Sequence, residues 1–458
     1  MPDDAAPADA APPGSILVVG AGYVGLTAAA CFAHLGHRVV CSDIDAARIA
    51  DLAAGIAPAH EPDLAGLVSA GLASGRLSFV VDAAPAAAQS EFAFLCVPTP
   101  LGDDGSTDTT HLLAAAAELG RRLAPGAVVV SKSTIPVGGH EAVVAAVARD
   151  DVAVVSNPEF LAEGSAVADF LTPDRIVVGA HDDAAAARVA ALYDGVEAPV
   201  VLTDPASAAT IKYAANSFLA TKVSFVNALT AVCDAVGADI DDVLAGVGAD
   251  RRIGAAYMAP GPGWGGSCLP KDTRALVSAA GAAGYVFDLL EGAIRVNEQQ
   301  IQRVVDKIVA AVGPADGSLA GASDGRLAGK TVALLGLTFK AGTDDLRGSP
   351  ALTVARRLAG LAARLRVHDP AVPPSADVDF ATAAAEIFAS AEEALRGAEV
   401  AVVLTEWPEF AALDWAALAG VMAAPRVVDA RNLLDPAAMR AHGFAYEGLG
   451  RRPESGRR

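Results

Sequence analysis

The feature that most constrains this chain is the run Gly20-Ala21-Gly22-Tyr23-Val24-Gly25, which follows directly on the apolar stretch "SILVV" at residues 15–19. That stretch has the composition of a buried strand, and an alanine-rich helical pattern leads from the glycines to Gly36. "HRVVCSD" then reads as a second strand that ends at Asp43. Strand, glycine-rich turn, helix, strand and acid, in that order, are the parts of a dinucleotide site. The glycines let the backbone approach a pyrophosphate, whose charge rests on the helix N-terminus. Gly20, Gly22 and Gly25 are the fingerprint, and Tyr23 and Val24 share its turn. Asp43 would accept from the adenosine ribose, and a carboxylate there repels a 2′-phosphate, which favours NAD. Arg48 is the one residue nearby that keeps NADP open. A tight turn in an unrelated α/β fold is the alternative reading of the glycines alone.

Further strand patterns follow in "EFAFLCVPTP" (91–100), "AVVVSKST" (127–134) and "VAVVSNPEF" (152–160), each ending in a polar or proline-containing loop. Open parallel sheets bind ligands at that carboxyl edge. From about residue 204 to 312 the pattern turns helical, with one long amphipathic stretch through "SAATIKYAANSFLATKVSFVNALTAVCDAVG". Lys212 and Asn216 lie four apart on it, hence on one face. A Gly/Ala/Ser/Asp-rich connection (313–330) precedes a second α/β half, with strands expected in "TVALLGLTFK", "RLRVHDP", "EVAVVLTEW" and "PRVVDARN". Its first turn lacks the glycine fingerprint, which suggests a different nucleotide ligand. The expected architecture is two Rossmann-like, doubly wound parallel-sheet α/β domains (15–203 and 331–448). They are joined by a helical dimerisation and catalytic region (204–312), with disordered tails at 1–14 and 449–458.

Length and composition fit this plan. A chain of 458 residues exceeds one ordinary core, and 53% hydrophobic with 19% charged residues describes a globular protein. A net charge of −20 argues against nucleic acid as the partner but leaves room for an anionic small substrate met by locally placed Lys and Arg. The acidic, Pro/Ala-rich start has no basic segment of the signal-peptide kind. No uninterrupted apolar run reaches the roughly 18–20 residues of a membrane helix, so no membrane partner is expected. Five cysteines, at 31, 41, 96, 233 and 268, are scattered and show no metal-ligand spacing. A reducing cytoplasm without disulfides or a bound metal follows.

Cys268 stands apart from the other four. It follows the glycines of "GPGWGG" and precedes "LPKDTRALVSAAG", a helix with Pro in its first turn. A thiol there meets the positive end of the helix dipole, which favours the reactive thiolate. A buried small hydrophobe is the bland alternative for any single cysteine.

Six segments together resemble the nucleotide-sugar 6-dehydrogenases: "GAGYVG" (20–25), "CVPTP" (96–100), "SKSTIPVG" (131–138), "NPEFLAEG" (157–164), "GWGGSCLPKD" (263–272) and "GLTFKAGTDDLRGSP" (336–350). The resemblance spans roughly residues 15–448. It implies NAD-dependent oxidation of a sugar C6 alcohol to the acid in two steps, with Cys268 holding the intermediate as a thiohemiacetal and then a thioester. Lys212 and Asn216 match the oxyanion-stabilising pair, Asp272 a carboxylate for water or base chemistry, Glu163 the acid of thioester hydrolysis and Thr134 a water-positioning hydroxyl. Glu159 shares the Glu163 loop and is expected to assist. Thr99, Thr134, Glu163 and Arg347 match positions near the cofactor. For the nucleotide sugar the matches are Phe160, Leu161, Ala162 and Glu163, with Lys212, Asn216, Tyr257, Gly265, Lys340 and Arg431. Arg252 matches an arginine lent by a neighbouring subunit of a homodimer. Trp264 departs from the usual Phe or Tyr, and Ala162 from a common Arg.

"TPDRIVVG" and "PGPGWGGSC" lean toward UDP-glucose over GDP-mannose as the sugar nucleotide, and "GGSC" departs from the "GGHC" of many UDP-N-acetyl sugar enzymes. A 3-hydroxyacid or 6-phosphogluconate type dehydrogenase would not require the cysteine. A non-catalytic sensor would be favoured by loss of Cys268 or Lys212, and both are present.

Overall fold

A computed structural model describes residues 14–58, 61–102, 105–313, 327–381 and 384–452. The described chain divides into two compact units. One comprises the residues up to Ala215 with Arg274–Tyr285, the other Asn216–Thr273 with Val286 onward. The helical middle is therefore shared between the units. The amino-terminal tail and most of the 313–330 connection lie outside the described residues.

The first unit is built on eight strands: β1 (Ser15–Val19), β2 (Arg38–Ser42), β3 (Leu77–Val80), β4 (Phe92–Leu95), β5 (Val128–Ser131), β6 (Ala153–Ser156), β7 (Ile176–Gly179) and β8 (Val200–Thr203). Their order is β3-β2-β1-β4-β5-β6-β7-β8. The first six pair in parallel, as expected of strands whose side chains are buried on both faces. β7 meets β6 antiparallel through the single pair Ser156–Gly179, and β8 runs parallel to β7. Inside, the rings of Phe32, Phe94, Phe170 and Tyr193 pack with centroids 5.0–5.5 Å apart.

The second unit carries six parallel strands: β9 (Thr331–Leu335), β10 (Arg364–His368), β11 (Ala385–Ile387), β12 (Val400–Val403), β13 (Arg426–Asp429) and β14 (Ala445–Gly448), ordered β11-β10-β9-β12-β13-β14. That is the strand order of a dinucleotide-binding sheet. Even the first turns correspond. Gly20 donates to Ser42 O at 2.7 Å with φ +102°, and Gly336 donates to His368 O at 2.8 Å with φ +100°. The acids after the second strands differ in use. Asp369 is buried, and its Oδ2 accepts from Leu337 N, Thr338 N, Thr338 Oγ1 and Trp407 Nε1. A carboxylate so occupied is not open to a ribose.

The helix expected from about 204 to 237 is Pro205–Val236. Among the described residues it is the helix long and apolar enough to cross a membrane by length and composition, although polar residues interrupt its sequence. Two expected boundaries move. Residues 449–452, placed in a tail, are held in the fold: Leu449 is fully buried and Arg451 Nη1 lies 3.1 Å from Asp239 Oδ1. Leu327, placed in the connection, is also fully buried.

Candidate active site

In the first unit the fingerprint turn is built as the sequence demands. A Cβ on Gly20 would sit 2.5 Å from Cys96 O, so only glycine lets β1 turn against the end of β4. The helix Tyr23–His34 starts at Gly22 without a side-chain cap, which leaves its first N–H groups for an anionic ligand. Asp43 Oδ2 accepts from Ala21 N at 2.8 Å and lies 3.4 Å from Arg48 Nη1, while Oδ1 accepts from Asp45 N at 3.0 Å. The open helix end, the tight glycine and the adjacent carboxylate fit a dinucleotide. Thr99 lies buried in the loop after β4, at the same carboxyl edge.

The loop 157–164 is tied down by Glu61 and Lys132, which sequence reasoning did not single out, together with Tyr23 of the fingerprint turn. Glu61 is buried and accepts from Gly164 N at 2.9 Å and Val167 N at 3.3 Å. The Tyr23 hydroxyl donates to Glu61 and lies 3.1 Å from Ala162 O, so the fingerprint turn and the half-buried loop of Leu161, Ala162 and Glu163 share one network. Lys132, also buried, donates to Asn157 Oδ1 and Tyr193 Oη, each at 3.0 Å, and Asn157 Nδ2 donates to Val177 O at 2.8 Å.

Glu159 and Lys212 form a buried ion pair at 2.8 Å, and Glu159 Oε2 also accepts from Leu161 N at 2.7 Å. Burial alone would raise the Glu159 carboxyl. The Lys212 charge and these hydrogen bonds outweigh burial and hold it below the usual carboxylate range. The Lys212 ammonium lies 5.5 Å from the Phe160 ring, on which the Arg175 guanidinium also stacks at 3.6 Å. Lys212 and Thr134 line one small cavity with Ser133 and Pro158.

In the second unit Cys268 precedes the helix Leu269–Ala282 and is partly exposed, with its Sγ 3.6 Å from Ser267 Oγ. The other four cysteines are free and buried. Burial pushes the Cys31 and Cys96 thiols up to about 12 and raises Cys41 and Cys233 as well. Buried thiols of that kind are inert. Asp272, fully buried one turn beyond the cysteine, accepts from Asn216 Nδ2 at 2.6 Å and pairs with Lys271.

Several unanticipated polar side chains hold the cysteine loop. Asn297 grips Trp264 at both backbone groups, accepting from its N–H at 2.8 Å and donating to its C=O at 3.0 Å. Asn227 accepts from Gly261 N at 2.9 Å, and Gln300 donates to Gly261 O at 2.9 Å. The Trp264 indole N–H reaches Ser224 Oγ at 2.8 Å, so the departure from Phe or Tyr is satisfied inside the fold. At Gly265 a Cβ would stand 2.1 Å from Gly348 O, which brings this loop directly against the 336–350 segment.

Arg431 lies beside Gly261 and donates to Leu404 O at 2.9 Å and Phe339 O at 3.0 Å, next to Lys340. Tyr257 is half-exposed, with a left-handed φ of +59°. Arg347 is held by Asp345 within its own loop. Arg252, with 88% of its side chain exposed, is held by Asp250. The expected residues thus gather in two groups, one in each unit. Thr134, Glu159 and Lys212 come with the cofactor fingerprint; Asn216, Cys268 and Asp272 come with the second sheet.

Three family models match most of the chain. Residues 14–197 match the NAD binding domain of the UDP-glucose/GDP-mannose dehydrogenase family, 206–299 its central domain and 333–436 its UDP binding domain. The chain is 41% identical over 460 residues to a UDP-glucose 6-dehydrogenase of Pseudomonas aeruginosa, covering 96% of this chain and 98% of that protein. It is 40% identical to the UDP-glucose 6-dehydrogenase TuaD of Bacillus subtilis, covering 95% and 93%. Among solved structures, a UDP-glucose dehydrogenase from Pyrobaculum islandicum aligns with a TM-score of 0.86 at 37% identity, covering 98% of this chain and all of that one.

Proposed function

Because the chain belongs to the UDP-glucose/GDP-mannose dehydrogenase family, we propose that it oxidises the C6 alcohol of UDP-glucose to the carboxylate in two steps, with Cys268 carrying the sugar between them. The observation that carries this reading is the contrast among the thiols. Four are buried, whereas Cys268 is partly exposed before a helix, one turn from a buried carboxylate network.

NAD⁺ supplies the hydride acceptor for both oxidations. In the first, the hydroxyl proton passes to a base and C6 reaches the aldehyde level. Cys268 Sγ then bonds to C6, and the resulting oxyanion is stabilised by the Lys212 ammonium and the Asn216 amide. Loss of the second hydride leaves a thioester. Water held by Thr134 and Glu163 attacks its carbonyl, the C–S bond breaks, and the thiolate leaves with the carboxylate formed. Asp272, anchored by Asn216 and Lys271, is the carboxylate proposed to assist proton movement. Glu159 holds Lys212 in place through their buried ion pair. The open helix end at Gly22 and the Asp43 carboxylate hold the cofactor. Lys340, Arg431, Tyr257 and the 160–164 loop hold the nucleotide sugar.

The reading includes a homodimer. On the helix Pro205–Val236, Phe218, Phe225 and Val232 recur every seven residues and are each more than half exposed, with Val236 beyond them. Such a stripe suits a second helix better than lipid, because Lys222 on the same helix donates to Ile253 O and Gly254 O in its own fold. The five free thiols suit a reducing cytoplasm.

The test is stoichiometric. With NAD⁺ in excess, each UDP-glucose consumed is expected to give two NADH and little free aldehyde. One NADH per sugar with aldehyde accumulating would defeat the covalent scheme. A clear preference for GDP-mannose would overturn the sugar assignment.

A further inference from the structure

His140 and Glu141 open the helix His140–Val147, and His181 follows β7, forty residues beyond Glu141 in sequence. One ligand-type atom from each of the three lies within 4.8 Å of the others. With Ser156 and Asp204 they line a cavity of about 170 Å³ in the first unit. The proposed oxidation uses none of them. A spacing of forty residues has no motif signature, so the sequence suggested no metal.

The bland account is a core histidine beside a surface ion pair, and it covers the contacts one by one. His140 is buried with Nδ1 3.2 Å from Ser156 Oγ, and His181 Nε2 lies 3.0 Å from Glu141 Oε1. It does not account for the convergence of two imidazoles and a carboxylate on one cavity. The two imidazole rings stand edge to face, 5.6 Å apart. When His140 Nδ1–H donates to Ser156, the Nε2 lone pair is left for a ligand, as in the supporting hydrogen bonds of metal-binding histidines.

We propose that His140, Glu141 and His181 form a binding site for one Zn²⁺ ion, with water completing a tetrahedral set. Zinc with metal–ligand distances of about 2.0–2.2 Å needs its ligand atoms about 3.3 Å apart. The cluster must therefore contract by at most about 1.5 Å from its widest separation. Glu141 and His181 are exposed and can close by side-chain rotation, while buried His140 stays fixed. The helix N-terminus at residues 140–141 opposes a cation. The carboxylates of Glu141 and Asp204 offset it, Asp204 being held anionic by its hydrogen bonds from Ser207.

The test uses tag-free, full-length protein stripped with a chelator and dialysed against Zn²⁺, with bound metal measured per chain. Cys268→Ser is included because a thiolate is the rival zinc ligand. Wild type and Cys268→Ser are each expected to bind one zinc, and His181→Ala and Glu141→Ala to bind it at least about tenfold more weakly. Both are surface changes, so the result does not depend on replacing His140. Co²⁺ in place of zinc is expected to give visible bands without near-ultraviolet thiolate charge transfer. Wild-type affinity in His181→Ala, loss of zinc in Cys268→Ser, or a thiolate band would each overturn the site.

Discussion

Lys212 is an ammonium with almost no access to water, and its charge is met by the equally buried Glu159 at 2.8 Å. Removing one member of such a pair is far more damaging than never having had it, because the survivor remains desolvated and uncompensated. Glu159→Gln is therefore expected to destabilise the protein by about 3–5 kcal/mol. The pair also sets a pH signature. The folded Glu159 carboxyl lies below its ordinary value, so its contribution is fully present above the unfolded pKa of about 4.3 and is lost as pH falls through the folded value. The stability gap between wild type and Glu159→Gln should be widest near neutrality and shrink below about pH 4. Thermal melts of both proteins across that range check it, and a gap independent of pH would place the variant's effect elsewhere. Cys268 is the other residue whose setting departs from its type. Cys268→Ser should abolish turnover while leaving nucleotide-sugar binding nearly intact, because a serine hydroxyl is a poorer nucleophile near neutral pH and its ester hydrolyses more slowly than a thioester. Substrate binding by calorimetry beside steady-state rates checks this.

The elements that hold Cys268 are the helices Pro205–Val236 and Asp288–Val312, through Asn227, Ser224, Asn297 and Gln300. Asn297→Ala would leave the Trp264 N–H and C=O buried without partners, at about 1–3 kcal/mol each. The expected result is unchanged helix content by circular dichroism, a lower melting temperature and a reduced kcat. Unchanged kcat would show that the loop keeps its place without Asn297. These amides also mark where sequence reading stops. The strands β1, β4, β5, β9 and β12 are short apolar runs ending in recognisable loops, and each was legible. β11 and β14, "AEI" and "AYEG", end the second sheet with too few apolar residues to signal a strand, and β8 shows Val200 and Leu202 to solvent. Cys268, Lys212 and Asp272 were legible because they sit inside motifs. Asn297 was not, because a single amide in a helix acquires its role from Trp264, 33 residues away. Glu61, which grips Gly164 from 103 residues away, was hidden for the same reason.

At the scale of the whole molecule, a pyrophosphate substrate has to find cations on a chain of net charge −20. Arg252 is the unusual one. It extends into solvent from a loop, oriented by Asp250, whose carboxyl its hydrogen bonds hold low. The exposed stripe of Phe218, Phe225 and Val232 lies on the helix from which Lys222 grips that loop at Ile253 and Gly254. A partner packed on the stripe would meet the loop as well, and Arg252 would serve the partner's substrate as a charge-assisted phosphate clamp. Subunit mixing separates that arrangement from an arginine acting in its own chain. Arg252→Ala and Cys268→Ser are each expected to be inactive alone. After free exchange, half of the dimers carry one of each, and every mixed dimer rebuilds one complete site from the intact cysteine of one chain and the intact arginine of the other. With independent sites, activity should return to about a quarter of wild type. If native mass spectrometry shows mixed dimers and no activity returns, Arg252 acts within its own subunit, and the exposed helix face has a purely structural purpose.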